Sequence, residues 1–214
     1  MTGVSRPVLP PYRPTGDVVA DKATWRTLVR AARRELADGW DEAGRAALAD
    51  DLARAGLEWL EWYAVRAGVT LDRLTVTAFE PMRTEPPVDR LTRELLDAGV
   101  RVLVPLTLAR PRLDWADLTD PDRVPLGEQV LAQVDVALIP GLAISAAGVR
   151  LGQGGGYYDH TLPRLQELAA PRRVPVVVVL HDHEVVPQVP ADGHDAVVDA
   201  VLRPGTGVRQ LTEE

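Results

Sequence analysis

The segment VPVVVVL at 174–180 is apolar at every position, and any fold this chain adopts must keep it dry. Short and dominated by β-branched residues, it reads as a buried strand. VDVALIPG at 134–141 reads the same way. Upstream, LTVTAF at 74–79 and VRVLVPLT at 100–107 bracket VDRLTRELLDAG, a stretch with helical spacing. Strand, helix, strand in that order predicts a parallel crossover. A short strand is expected at 113–118 and the last one in AVVDAVL at 196–202. Two helices come first. Trp25, Leu28, Val29, Ala32 and Leu36 form an apolar stripe, with Lys22, Arg26, Arg30, Arg33 and Arg34 on the other face. Leu48, Leu52, Ala55, Trp59 and Trp62 form a second stripe that ends near Gly68. Trp25, Trp59 and Trp62 are therefore expected in the core.

With 214 residues, 46% of them hydrophobic, one compact domain over 17–214 is the default. Residues 1–16 carry four prolines and no periodic apolar face, and are expected to form a disordered tail. The absence of cysteine excludes disulfides, thiolate metal sites and thiol nucleophiles, and fits a reducing cytoplasm. No stretch approaches the roughly 20 apolar residues of a membrane span. A formal net charge of −7 argues against nucleic-acid binding while leaving room for a small basic pocket. A cytoplasmic monomer is expected.

The most informative stretch for function is GVRLGQGGGYYDHTL, which places Gly148, Gly152, Gly154, Gly155 and Gly156 between a buried strand and an expected helix. Backbone amides in such a turn, backed by a helix N-terminus, form a concave donor site for phosphate oxygens, and Arg150 adds positive charge. The spacing fits neither GxxxxGK[ST] nor GxGxxG with its later acid. On glycine count alone, a phosphate cradle and a flexible surface turn stand level.

The longer string PGLAISAAGVRLGQGGGYYDHTL, at 140–162, resembles the signature of the 5-formyltetrahydrofolate cyclo-ligase family, where a buried strand ending in Pro-Gly leads into GxRLGxGxGYYDxxL. Arg150, Leu151, Gly152, Gly154, Gly156, Tyr157, Tyr158 and Asp159 all stand at its positions. Lys22 and Arg26 resemble the family's N-terminal KxxxR, and PMRTEPPVDRL at 81–91 its substrate-binding segment. PADGHDAVVDAV at 190–201 resembles its C-terminal PxxxHDxxxD region. The resemblance implies a three-layer α/β/α fold with a central, largely parallel sheet. It also implies an ATP-dependent ligase that converts 5-formyltetrahydrofolate to 5,10-methenyltetrahydrofolate and releases ADP and phosphate. ATP phosphorylates the formyl oxygen and the folate's own nitrogen then displaces phosphate, so the protein's task is positioning and charge neutralisation, with no protein nucleophile.

The resemblance assigns ATP to Lys22, Arg26, Arg150, Leu151, Gly152, Gln153, Gly154, Gly155, Gly156, Tyr157 and Tyr158. It assigns the folate to Met82, Glu85 and Tyr157, and Mg²⁺ to Asp159 and Asp195. Arg150 and Tyr157 are the candidates for a direct catalytic part. Each also has a plainer reading: a solvated basic face for Lys22 and Arg26, a helix N-cap for Asp159, a turn acid for Asp195. His181 and His183 would diverge on a continuing strand, which argues against a zinc pair. Ser145, Gln153, Gly155 and a short 118–135 linker depart from the family pattern. They motivate two alternatives: a catalytically weakened folate- or nucleotide-binding relative, and an ATP-dependent ligase or kinase with another acceptor.

Overall fold

A computed structural model describes residues 7–193 and 195–211; residues 1–6, His194 and 212–214 lie outside the described residues. Two long helices open the fold. Helix α1 (Val18–Asp38) begins at Asp17, whose carboxylate accepts from the amides of Val19 and Ala20 and so satisfies donors that the first turn leaves open. Helix α2 (Glu42–Ala67) is capped by Asp41 and ends at Gly68, whose φ of 73° is the left-handed conformation that closes a helix with least strain.

The strands β1 (Thr75–Thr77), β2 (Arg101–Thr107), β3 (Leu113–Asp117) and β4 (Val136–Pro140) follow, with helix α3 (Asp89–Asp97) between the first two. After β4 come β5 (Ala143–Ser145), β6 (Arg150–Leu151), helix α4 (Tyr157–Ala169), β7 (Val176–Val179), β8 (Val185–Val186), β9 (Ala200–Arg203) and β10 (Gly207–Gln210). Seven strands form the main sheet in the order β10-β9-β7-β4-β1-β2-β3. Its five inner members are parallel, while β3 and β10 run antiparallel at the edges. This is the expected α/β fold. AVVDAVL is not the last strand, however: the chain turns at 204–206 and β10 pairs back on β9.

Alternation along the inner strands divides the interior into two layers. Val177 and Val179 of β7 pack with Val76, Val102, Leu138 and Leu202 beneath α2 and α3. Val176 and Val178 turn the other way, toward Ile139, Val201 and Leu162 and Leu165 of α4. A strand sandwiched this way needs apolar residues at consecutive positions, which is why VPVVVVL has no polar alternation.

Helix α1 lies on a second, three-stranded sheet of β6, β5 and β8, where Trp25 and Val29 meet Leu142, Ala143, Leu151 and Val186. This sheet carries the glycine-rich stretch and fixes its position relative to α1. The expected division of α1 into apolar and solvated faces is corrected on two counts: Arg33 is buried, whereas Leu28 is 39% exposed. The buried face follows Lys22, Trp25, Val29, Arg33 and Ala37 because carboxylates of other segments are waiting for the two cations. Trp62 is likewise 43% exposed, with Arg66 over its ring, so it is a surface residue, not a core one.

Residues 7–16 form no helix or strand, and side-chain contacts join them to the first turn of α1. Tyr12 Oη donates to Asp21 at 2.8 Å, Thr15 donates to the same carboxylate through its amide and hydroxyl, and the Tyr12 ring meets Trp25 edge-on. The first six residues of that predicted tail lie outside the described residues.

Candidate active site

β4 ends at Pro140, and the chain then traces β5, a turn and β6 before entering α4 through 152–156. The turn thus sits above the carboxyl ends of the central parallel strands, the position at which open α/β sheets bind ligands. Two glycines there answer to specific atoms. A Cβ on Gly152 would lie 2.7 Å from Arg150 Nη1, and one on Gly154, at φ 93°, would crowd the Arg26 guanidinium at 3.2 Å. Glycine at these positions lets two arginines approach the backbone from different sides.

Arg150 is the best-buried cation of the loop. Its Nη2 donates to Asp159 Oδ1 at 2.7 Å, its guanidinium lies 5.7 Å from the Tyr158 ring centroid, and its Nε has no hydrogen-bond partner. Burial pushes the Tyr158 phenol above its ordinary value, only partly offset by the adjacent Arg150 cation, so Tyr158 remains a neutral O–H donor. Arg26 Nε donates to the Gly152 carbonyl at 3.0 Å. Arg30, one turn further along α1, donates to the carbonyl and side-chain oxygen of Gln153. Helix α1 therefore faces the loop with two arginines.

The loop forms one wall of a cleft of about 240 Å³. Gly152 to Asp159 line that wall, Met82 and Glu85 line another, and Pro105 and Thr107 of β2 with Leu113 of β3 line a third. The β2/β3 register places Leu113 opposite Thr107, so these side chains share a face of the hairpin. Glu85 is only 4% exposed; its Oε2 accepts from the Met82 amide at 3.0 Å and its Oε1 from Gln153 Nε2 at 3.3 Å. The Tyr157 ring stands at the start of α4, with the Arg110 guanidinium 6.0 Å from its centroid. Sequence-predicted residues from three segments thus meet: Met82 and Glu85, Arg150, and 152–159.

Others are placed apart from this group. Leu151 packs beneath α1, and its carbonyl accepts from the Leu142 amide, so its side chain belongs to the core. Lys22 lies away from the cleft lining, buried against Asp192 at 2.7 Å and Asp195 at 2.6 Å. Burial opposes its charge, yet hydrogen bonds to the two carboxylates outweigh that and hold its pKa above the ordinary lysine range. Asp195 spends its oxygens on Lys22 and on the Asp192 amide.

Among the described residues no three histidine, cysteine or acidic side chains gather as a metal-binding group. Asp159, part exposed and engaged through Oδ1 alone, fits a cation that takes its remaining ligands from water and phosphate, as Mg²⁺ does.

Behind Glu85 lies a buried network that sequence reasoning missed. Arg33 Nε donates to Glu184 Oε1 at 2.6 Å, and its Nη2 donates to Glu184 Oε2 and to the Gly141 carbonyl. Its Nη1, without a hydrogen-bond partner, lies 3.9 Å from Glu85 Oε1. His181 Nε2, in the tautomer that donates, meets the Thr84 carbonyl at 3.1 Å. The two histidines do not diverge as on a strand: β7 has ended, a helical turn follows, and their rings stack at 5.9 Å. Arg33 and Glu184 are 151 residues apart, and an arginine on a polar-looking helix face gives no sign of such a partner.

A parallel-sheet enzyme is what this combination describes, with an arginine-flanked glycine loop suited to an anionic group beside a cleft whose buried carboxylate suits a hydrogen-bonding heterocycle. The sequence pattern of the 5-formyltetrahydrofolate cyclo-ligase family matches residues 19–204, and the chain belongs to that family. A 5-formyltetrahydrofolate cyclo-ligase of Mycolicibacterium smegmatis is 31% identical over 163 residues, covering 68% of this chain and 81% of the relative. The fold is shared with 5,10-methenyltetrahydrofolate synthetases of known structure. That of Aquifex aeolicus has a TM-score of 0.67 at 22% identity, covering 90% of this chain and 94% of that one. That of Mycoplasma pneumoniae has a TM-score of 0.63 at 20% identity, covering 85% and 97%.

Proposed function

We propose that this chain closes 5-formyltetrahydrofolate to 5,10-methenyltetrahydrofolate at the expense of ATP, releasing ADP and phosphate. The observation that carries the reading is the meeting of the family's loop residues with Met82 and Glu85 around one cleft. Glu85 accepts hydrogen bonds from the amino and ring N–H groups of the pterin, a role suited to a buried carboxylate with acceptor capacity to spare. Tyr157 packs on the pterin, and Met82 closes the same side.

Arg26, Arg150 and the amides of 152–156 hold the polyphosphate. Arg150 is the residue best placed to stabilise charge on the transferring group, because a buried guanidinium acts in a low-dielectric surrounding and needs no reorganisation when charge develops. Lys22 joins the phosphates by exchanging its carboxylate partners for them. Asp159 would hold Mg²⁺, which when bound would supply charge neutralisation to the phosphates; Asp195, engaged by Lys22, would be available to it only if Lys22 left. Residues 17–214 act as a single unit. The same reading takes the protein as a cytoplasmic monomer, and the lack of cysteine suits a reducing compartment.

The test is the absorbance of the methenyl product when the protein is mixed with 5-formyltetrahydrofolate and Mg-ATP. An ATP-dependent rise is expected. No rise from folded protein that binds both ligands would favour a weakened binding relative; turnover of a different acceptor would favour the altered-substrate alternative.

A further inference from the structure

Gln153 occupies a loop position expected to contact ATP, but its hydrogen bonds run elsewhere. Arg30 Nη2 donates to its backbone carbonyl at 2.8 Å and to its Oε1 at 3.1 Å. The amide nitrogen, Nε2, donates to Glu85 Oε1 at 3.3 Å. A guanidinium at one end and a carboxylate at the other leave one orientation for the amide. Turning it over would set NH₂ against the cation and oxygen against the anion. Both the backbone and the side chain of Gln153 are therefore committed to a line from α1 to Glu85.

That line has a mechanical consequence. A carboxylate recognising two adjacent donors of a flat heterocycle must present both oxygens in a fixed plane. Glu85 is held through Oε2 by the Met82 amide and through Oε1 by Gln153, while Arg33 Nη1 lies too far off for a hydrogen bond. Without Gln153, the Oε1 end has the Arg33 charge nearby but no donor to set the plane.

We propose that Gln153 is a positioning residue for the folate end of the cleft, fixing Glu85 from a loop whose glycines serve ATP. The proposal rests on the cyclo-ligase reading and moves Gln153 from the nucleotide to the substrate. Arg30 is its anchor. Because the same loop segment carries the phosphate amides, substrate recognition depends on the loop being in place.

Calorimetric titration of 5-formyltetrahydrofolate, and separately of a non-hydrolysable ATP analogue, into the wild type, Gln153→Ala and Gln153→Glu tests it. Loss of a hydrogen bond to a charged group predicts about tenfold weaker folate binding by Gln153→Ala. Gln153→Glu, which puts a carboxylate beside Glu85, is expected to be weaker still, while Gln153→Ala, which keeps the backbone amide and adds no charge, holds the affinity for the ATP analogue. A merely structural role would weaken both ligands and give no Ala-to-Glu order. Loss confined to the ATP analogue, or unchanged folate affinity in Gln153→Ala, overturns the proposal. Should Gln153→Glu fail to fold, the alanine variant decides alone. Wild-type protein that does not bind 5-formyltetrahydrofolate strikes the cyclo-ligase reading and this proposal with it, whereas wild-type binding unaltered in Gln153→Ala strikes only the proposal.

Discussion

Lys22 and Arg33 sit on the same face of α1, about three turns apart, both buried and both paired with carboxylates from distant parts of the chain. They do different work. Arg33 is enclosed: Glu184 is fully buried, the Gly141 carbonyl takes a further N–H, and the pair joins α1 to the segment after β7. Lys22 is covered by Asp192 and Asp195, of which Asp192 is over a third exposed, so water and a competing anion have a route to the ammonium. A cation whose partners are inside the protein is a structural tie; one whose partners lie at the surface can change them. Burial of the cation alone does not tell the two apart.

The largest expected effect comes from breaking the enclosed pair. Glu184→Gln removes the hydrogen-bonded counter-charge of buried Arg33, leaving only Glu85 at 3.9 Å, and should cost about 3–5 kcal/mol, read as a fall in the denaturant midpoint. Retention of wild-type stability would mean that Arg33 is better solvated than its 1% exposure implies. Lys22→Ala is expected to leave the midpoint within about 1 kcal/mol and to raise the KM for ATP by roughly 10- to 100-fold, the worth of a hydrogen bond to a charged group. Equal stability losses in the two variants would erase the contrast between them.

A smaller effect sharpens the same contrast through pH. Burial lowers the pKa of His181 and His183, against the pull of Glu184, so the native imidazoles stay neutral where those of an unfolded chain, near pH 6.5, take up protons. Protons therefore favour the unfolded state, and this part of the stability is present above that pH and lost as pH falls through it. Each histidine accounts for up to about 1.4 kcal/mol at one pH unit below. His181→Gln should shrink the difference between melts at pH 7.5 and 5.5. The Lys22 pair, whose lysine pKa is raised, holds through that entire window, because its stability is lost only as pH rises past the lysine range.

Much of the fold could be read from period. The apolar runs at β4 and β7, the helix between β1 and β2 and the glycine stop of α2 all appear where local spacing places them. β5, β6 and β8 did not, being two or three residues long and held by pairing partners that no local pattern announces. The loop was equally legible, since Gly152 and Gly154 are required by how closely Arg150 and Arg26 approach it. The directions taken by the Gln153 and Leu151 side chains were not legible, because a motif gives a residue's place in the chain but not where its side chain points.

Sequence alone determined that this chain would build an α/β sheet, that a glycine-rich loop would follow a buried strand, and which family the loop resembles. These are consequences of side-chain size, spacing and backbone freedom over a few neighbouring residues. Only the tertiary structure decided which carboxylates the two buried α1 cations would meet, and that Gln153 would reach Glu85. Those choices depend on charges brought together across more than sixty positions, in a low-dielectric surrounding that exists only once the chain has folded.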